Sequence, residues 1–379
     1  MLIGIIGRVN TGKSSFFKAT TLAKVDISNK VFSTLKPNHG IGYLNIKCPD
    51  REFNTECNPA TGFCYKGNRF IPIDIIDVPG LMENSHLGAG LGNSFLNALL
   101  DADILVQVVD VSGLTNSRGE TAQHYNPGND ILMIEKELDE WFFGLCKRKW
   151  DALQKLKSEG DAKVEIFAKT FGHKISEEKI KEIAKKKNPE TDLRGFSKEL
   201  RRAAKPMIIA ANKIDIPGAD YTLSMLQRTF QQYPMIACSA EAELTLKESA
   251  KQQLIDYIPG ENRFRTIAPL KDNQKDTVLY LSSFLKKYDS TGVQEVLNKA
   301  VFSMLGYMPI YMIENEYTLA NAQGYILPNV HLVKKGSTLG EISNLLTKNK
   351  FDTALSIRTQ KNLSKDQEVK ANDILKWIT

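Results

Sequence analysis

The sequence predicts an α/β protein: a doubly wound, mostly parallel sheet carrying a helical insertion and followed by a small α+β domain. Three observations lead there. Short apolar runs at residues 2–6, Phe70 to Ile76, Ile104 to Asp110, Met207 to Ala211 and Met235 to Cys238 alternate with helical or loop-like stretches, the pattern of repeated strand–helix units. The gap from Asp110 to Met207 far exceeds the usual βα loop of about 2–6 residues and is filled with helical periodicity. From Met308 onward the texture changes to short β-like pieces around one helix.

The elements follow in order. The first run ends in a glycine loop and continues as a helix from Lys13 to Leu22. Ile131, Ile134, Leu138, Trp141, Phe142 and Leu145 recur at helical spacing, so residues 128–205 read as a helical insertion into a domain made of residues 1–127 and 206–260. Leu244 to Tyr257 reads as a helix stopped by Pro259-Gly260. Residues 261–307 form a helical connector, with Val278, Leu281, Phe284, Leu285 and Tyr288 on one stripe and Val293 to Leu305 on another. Residues 308–379 form the last domain, whose helix is capped by Ser337 and Thr338 with Glu341 placed for a capping box.

Composition narrows the class. A chain of 379 residues favours two or three domains at about 100–200 residues each, and 42% hydrophobic with 25% charged residues excludes a disordered or fibrous protein. The longest apolar stretches fall short of the about 20 residues a membrane-spanning helix needs. The N-terminus lacks a basic leader and a small-residue cleavage site, and five cysteines do not make a disulfide framework. A cytoplasmic location is the expectation. The net charge of +6 is unevenly spread: Leu145 to Lys205 holds 18 basic against 10 acidic residues, an excess of eight, while Ile71 to Gly144 holds 2 against 12, a deficit of ten. The basic segment fits either an acidic partner such as RNA or a solvated Lys-rich helical face.

The chemistry is concentrated in a few motifs. Gly7 to Ser14, G-R-V-N-T-G-K-S, fits G-x-x-x-x-G-K-[ST] between a strand and a helix. Gly7 and Gly12 let the backbone curl so that N–H groups point at phosphate oxygens, and the helix N-terminus adds its positive end. Lys13 reaches the β- and γ-phosphates, Ser14 offers a hydroxyl to Mg²⁺, and Asn10, Thr11 and Ser15 complete the nucleotide-binding stretch. Asp77-Val78-Pro79-Gly80 follows the second strand, where Asp77 can hold Mg²⁺ and the Gly80 N–H can meet the γ-phosphate. Asn212-Lys213-Ile214-Asp215 decides the base: the Asp215 carboxylate accepts from guanine N1–H and its exocyclic amine, whereas adenine N1 is itself an acceptor. Cys238-Ser239-Ala240 stands at the end of the next strand, where backbone N–H groups can approach guanine O6. Thr34, in Phe32 to Pro37, fits either a Mg²⁺ ligand that senses the γ-phosphate or an ordinary surface threonine.

These stretches, with G-L-G-N-S-F-L at Gly90 to Leu96 and S-A-E-A-E-L at Ser239 to Leu244, resemble the P-loop GTPases of the Obg superfamily, in particular the archaeal YchF-like branch. Ile326-Leu327-Pro328 through Lys335-Gly336-Ser337-Thr338, with Asn372-Asp373-Ile374, resembles a TGS domain, a ubiquitin-like β-grasp module. The resemblance spans nearly the whole chain. It implies hydrolysis of GTP to GDP and phosphate with Mg²⁺, a molecular switch, and a ribosomal or RNA partner reached through the basic insertion and the TGS-like domain. Bacterial YchF relatives lack the base-reading Asp and prefer ATP; here Asp215 is intact. Leu81 stands where Ras-type enzymes carry the water-positioning glutamine, which implies slow turnover without a partner. In potassium-stimulated GTPases that the chain resembles, an asparagine at the place of Asn10 helps hold K⁺ beside the phosphates; local hydrogen bonding within the loop is the competing role. A second class remains: a nucleotide-sensing binding module whose hydrolysis is incidental.

Cys48, Cys57 and Cys64 cluster in the sequence, but their gaps do not match the two-to-four-residue knuckles of structural zinc sites, so free thiols are expected. The five histidines show no metal spacing, and no nucleophile triad is apparent.

Overall fold

The computed structural model describes residues 1–21, 38–81, 83, 99–155, 160–171, 175–346 and 353–378. The described chain divides into two compact units, residues 1–40 with 74–296 and residues 41–73 with 297–379.

In the first unit, β1 (Leu2–Gly7) lies between the end of β4 (Asn68–Asp77) and β5 (Ile104–Asp110), followed by β6 (Met207–Asn212) and β7 (Met235–Ala237), all parallel. The register pairs Ile5 with Asp77 and Asp110 with Asn212, so Gly7, Asp77, Asp110 and Asn212 all reach the carboxyl edge of the sheet. Every residue of β5 and β6 is buried, which is why these strands read as continuous apolar runs and not as alternating ones. This edge is where ligands bind in open α/β sheets.

The insertion consists of α2 (Gly128–Gln154), α3 (Gly160–Phe171), α4 (Glu177–Lys186) and α5 (Leu193–Ala204), after α1 (Lys13–Thr21) in chain order. It is not an independent body. Ile131, Ile134, Leu138, Trp141 and Phe142 join Ile6, Ile76 and Val109 in one hydrophobic core, to which Phe167 and Phe196 also belong. Arg201, 1% exposed, is held between Asp139 at 2.7 Å and Glu135 at 3.4 Å, and Arg202 reaches Glu135 at 2.8 Å. Burial pushes the Glu135 carboxyl up, but the hydrogen bond from Arg202 and the charges of both arginines outweigh it and hold the group below the usual range. The Lys-rich face is partly self-paired: Glu182 binds both Lys179 and Lys186, and Lys187 lies 3.5 Å from Asp192.

The unit is completed by α6 (Ala219–Thr229), α7 (Ala240–Lys251) and α8 (Asp272–Tyr288). Here the structure corrects the expected helix from Leu244 to Tyr257. Gln253 adopts φ 58° just past the end of α7, and the chain returns as a hairpin of β8 (Ile255–Tyr257) and β9 (Phe264–Thr266) around Pro259-Gly260. Ile255 and Tyr257 are buried while Asp256 is only partly so, the alternation of a strand with one face in the core.

In the second unit, β11 (Asn329–Lys334), β10 (Tyr307–Ile313), β14 (Ile374–Ile378), β12 (Thr353–Ser356) and β13 (Lys361–Ser364) form a five-stranded mixed sheet in that order. A short α9 (Val293–Asn298) continuing as a π-helical turn (Lys299–Met304) leads into it. The helix α10 (Leu339–Leu346) buries Leu339 and Ile342 against Ile310 and Leu375. Its capping box forms as expected, with Thr338 N donating to Glu341 Oε2 at 3.0 Å and Glu341 N to Thr338 Oγ1 at 3.3 Å. The polar strand β13 carries no sequence signal.

Residues 41–73, placed by the sequence reading in the nucleotide-binding domain, cluster instead with this second unit. They contain most of β2 (Asn38–Lys47), β3 (Phe63–Tyr65) and the first half of β4, where Phe63 stacks on Phe70 at 4.4 Å. Arg69, 1% exposed, donates to the carbonyls of Thr61, Leu327 and Pro328 at 3.0–3.1 Å. Cys48, Cys57 and Cys64, expected as free thiols, form no disulfide, and their Sγ atoms lie within 4.8 Å of one another.

Candidate functional site

The loop from Gly7 to Ser14 wraps the end of β1 and feeds α1, whose N-terminal turn begins at Lys13. Gly12 has φ 86°, and a Cβ there would collide with the Asn212 amide, so glycine is required on both conformational and steric grounds. The Asn212 side chain is a brace: Nδ2 donates to Thr11 O at 3.0 Å, and Oδ1 accepts from Ala240 N at 3.0 Å. Lys213, at φ 63°, extends its ammonium to Asn10 O at 3.1 Å and to Asp110 Oδ2 at 2.7 Å. The end of β6 is thereby tied to the first loop.

Lys13 and Asp77 meet at 2.5 Å, both almost completely buried. The second carboxylate oxygen, Asp77 Oδ2, is buried with no hydrogen-bond partner among the described residues. An ionised oxygen in that position calls for a cation. Ser14 lies next to Lys13 at the start of α1 with Ser15 behind it, both partly exposed. At Gly80 an added Cβ would press on Val9, which keeps that backbone close to the loop. Leu81 donates its N–H to Gly7 O at 3.0 Å and buries its side chain fully in the core, so no group at this position reaches the carboxyl edge to orient water.

Ser239 caps α7 by accepting from Ala242 N at 3.2 Å. Its own N–H is given to Thr291 O at 3.0 Å, and that of Ala240 to Asn212. The sequence reading had these two N–H groups free to approach a base; in the structure both are spent on holding the loop and the Asn212 amide. Asp215 is partly exposed, beside Ile214, whose carbonyl accepts from Tyr288 OH at 3.0 Å. Asn10 donates through Nδ2 to Gly119 O at 2.6 Å, so the local hydrogen bond weighed against a cation role has a definite partner. Thr34 and Gly90 to Leu96 lie outside the described residues.

One network escaped sequence reasoning. Arg8 reaches Asp130 Oδ1 at 3.4 Å, and Tyr125 OH donates to the same oxygen at 2.7 Å, which anchors the phosphate loop to the start of α2. Burial pushes the Asp130 carboxyl above its usual range, although Tyr125 and Arg8 both favour the charged form. Burial and the Asp130 contact push the Tyr125 phenol up as well. Arg8 sits at a variable position of the loop motif, so nothing in the spacing marked it.

Against known proteins, two family models match: "50S ribosome-binding GTPase" over residues 2–137 and "Obg-like GTPase YGR210-like, G4 motif-containing domain" over residues 210–315. A GTP-binding protein of Methanocaldococcus jannaschii is 37% identical, with 100% of this chain and 99% of that one covered. The chain belongs to the Obg-like, YchF-type P-loop GTPase family. A solved structure of a GTP-binding protein from Pyrococcus horikoshii superposes on this family member with a TM-score of 0.76 at 31% identity, covering 100% of both chains. The "ribosome-binding ATPase YchF" of Pasteurella multocida is 32% identical over 43% of each chain. Among the described residues no helix of this YchF-type chain is long and apolar enough to cross a membrane.

Proposed function

We propose that the chain binds GTP and hydrolyses it to GDP and phosphate, acting as a switch toward a ribosomal or RNA partner. The observation that carries this reading is the buried Lys13–Asp77 pair with its orphaned carboxylate oxygen at the mouth of the phosphate loop. A triphosphate with Mg²⁺ would offer each member a stronger partner: Lys13 would turn to the β- and γ-phosphates, and Asp77 with Ser14 would hold Mg²⁺. When bound, Mg²⁺ neutralises charge on the β- and γ-phosphate oxygens. The loop N–H groups and the α1 N-terminus fix the phosphates in line with a water. The water oxygen bonds to the γ-phosphorus, the bond to the β-phosphate oxygen breaks, and one proton passes to solvent. Asp215 reads guanine, while Asn212, Lys213, Ser239 and Ala240 hold the pocket's frame. Thr34 and the Gly80 N–H serve the γ-phosphate, and the C-terminal unit acts as the TGS-like module.

The buried Leu81 leaves water alignment to something outside this set, which also supports the second reading, a nucleotide-sensing module with incidental hydrolysis. Single-turnover hydrolysis decides between them. Ribosomes should raise the rate, the gain should fall steeply with salt, and Lys185, Lys186 and Lys187→Glu should weaken it. A rate indifferent to ribosomes would leave the sensing module standing.

Potassium is the proposed aid to the chemistry. The Gly119 contact uses the donor end of the Asn10 amide, which leaves its acceptor oxygen as the atom for a cation beside the phosphates. Turnover should be faster in potassium than in sodium, and Asn10→Ala should erase the difference. Equal rates in both salts would assign Asn10 to the loop alone.

A further inference from the structure

We infer that Cys48, Cys57 and Cys64 form a structural zinc site, with Asp50 as the fourth ligand. The three Sγ atoms lie within 4.8 Å of one another, and all three cysteines are free of disulfides. Zn–S bonds of about 2.3 Å in a tetrahedral site set sulfurs about 3.8 Å apart, so each pair needs to close by about 1 Å at most. Asp50 Oδ2 is 3.7 Å from Cys64 Sγ, close to the about 3.5 Å that separates a thiolate and a carboxylate oxygen on one zinc ion; it stands outside the cluster of the three sulfurs, so its carboxylate has to swing inward to complete the set. Three sulfurs and one carboxylate oxygen make a closed, four-coordinate donor set, the kind that supports structure and leaves no position for a substrate.

The surroundings agree. Arg69, itself 1% exposed, donates to Cys57 Sγ at 3.1 Å, the outer-shell contact that a metal-bound thiolate accepts and that offsets the site's negative charge. Asp50 is buried and holds the N–H of Arg51 at 2.8 Å, which fixes its carboxylate. Cys48 follows β2, Asp50 sits in the 3₁₀ turn Pro49–Arg51, Cys57 is in the loop beyond it, and Cys64 is in β3. Between Arg51 and Phe63 no regular element is formed, while Asn58 N and Ala60 N donate to the carbonyls of Ile326 and Pro328. Cys48, Phe53, Cys57 and Cys64 already pack on an apolar core with Tyr311, Ile313 and Leu327, and an ion drawing four points of the segment together would pin it there. Binding would release to solvent whatever thiol protons the site still carries.

The test uses the full-length chain purified without chelators. Elemental analysis should find a stoichiometric amount of zinc that survives gel filtration, and Cys57→Ser and Cys64→Ser should each lose it. Co²⁺ added to the metal-stripped chain should give the near-ultraviolet thiolate-to-cobalt charge-transfer band and intense visible bands of a tetrahedral site. Asp50→Asn should change the visible bands and keep the charge-transfer band. GTP affinity of the cysteine variants should match the parent, which separates this site from the nucleotide site and shows the variants folded. A reduced chain that takes up neither Zn²⁺ nor Co²⁺, or serine variants that keep full zinc content, would overturn the assignment.

Discussion

A Lys13→Ala chain should lose most of its GTP hydrolysis and also melt at a lower temperature. Two effects combine. The lost contact from ammonium to phosphate is a charged hydrogen bond worth about 1.5–3 kcal/mol, about 10- to 150-fold in affinity. In addition, Asp77, with 0% of its surface exposed, would keep a buried carboxylate stripped of its 2.5 Å partner. Breaking one side of a buried pair costs about 3–5 kcal/mol. Adding Asp77→Asn removes that charge, so the double variant should recover much of the melting temperature and none of the turnover. Nucleotide titration, single-turnover hydrolysis and thermal melts on the parent, single and double variants separate the two effects. Near-parental hydrolysis by Lys13→Ala would move the active site elsewhere.

The second large effect belongs to Asp215→Asn. In the proposed base pocket its carboxylate accepts from guanine N1–H and the exocyclic amine, two charge-assisted bonds worth about 1.5–3 kcal/mol each. GTP affinity should therefore fall by at least about 100-fold. Xanthosine triphosphate, which presents a C2 oxygen to the new amide donor, should gain. Because Asp215 is partly exposed and, among the described residues, no hydrogen bond of its side chain braces the loop, the melting temperature should stay close to the parent. Unchanged GTP affinity would remove Asp215 from the base pocket.

The parts of this site legible in the sequence are those in which residue type and spacing are themselves the mechanism. Gly12 must be glycine because of its positive φ and the Asn212 amide packed on it, and Lys13 opens the helix after the first apolar strand while Asp77 ends a second one. What was not legible depends on partners far apart in the chain. Arg8 and Asp130 are 122 residues apart, and no local pattern joins them. The N–H groups of Ser239 and Ala240 looked available until Thr291 and Asn212 were seen to take them. The cysteines failed a spacing test suited to short knuckles, whereas their convergence is made by a β-hairpin and a turn. In the fold, β13 and the β8–β9 hairpin were missed because short polar strands and a positive-φ glutamine carry almost no signal, while α2 was marked by its apolar stripe.

The common core of the insertion and the sheet divides each insertion helix between two regimes of mutational drift. Along α2, Ile131, Ile134 and Leu138 cover Ile6 and Val109, and baring any one such side chain costs about 1.5–3 kcal/mol. That is a large share of a domain's margin of about 5–15 kcal/mol. Substitutions on this face are filtered by folding, whatever the partner. On the outward face, Leu132 is 55% exposed and Lys185 to Lys187 are also exposed, so changes there leave the nucleotide-binding core untouched. A lineage could thus remodel the outward surface one residue at a time, but it could not shed or exchange residues 128–205 as a cassette without laying open the sheet that carries the phosphate loop.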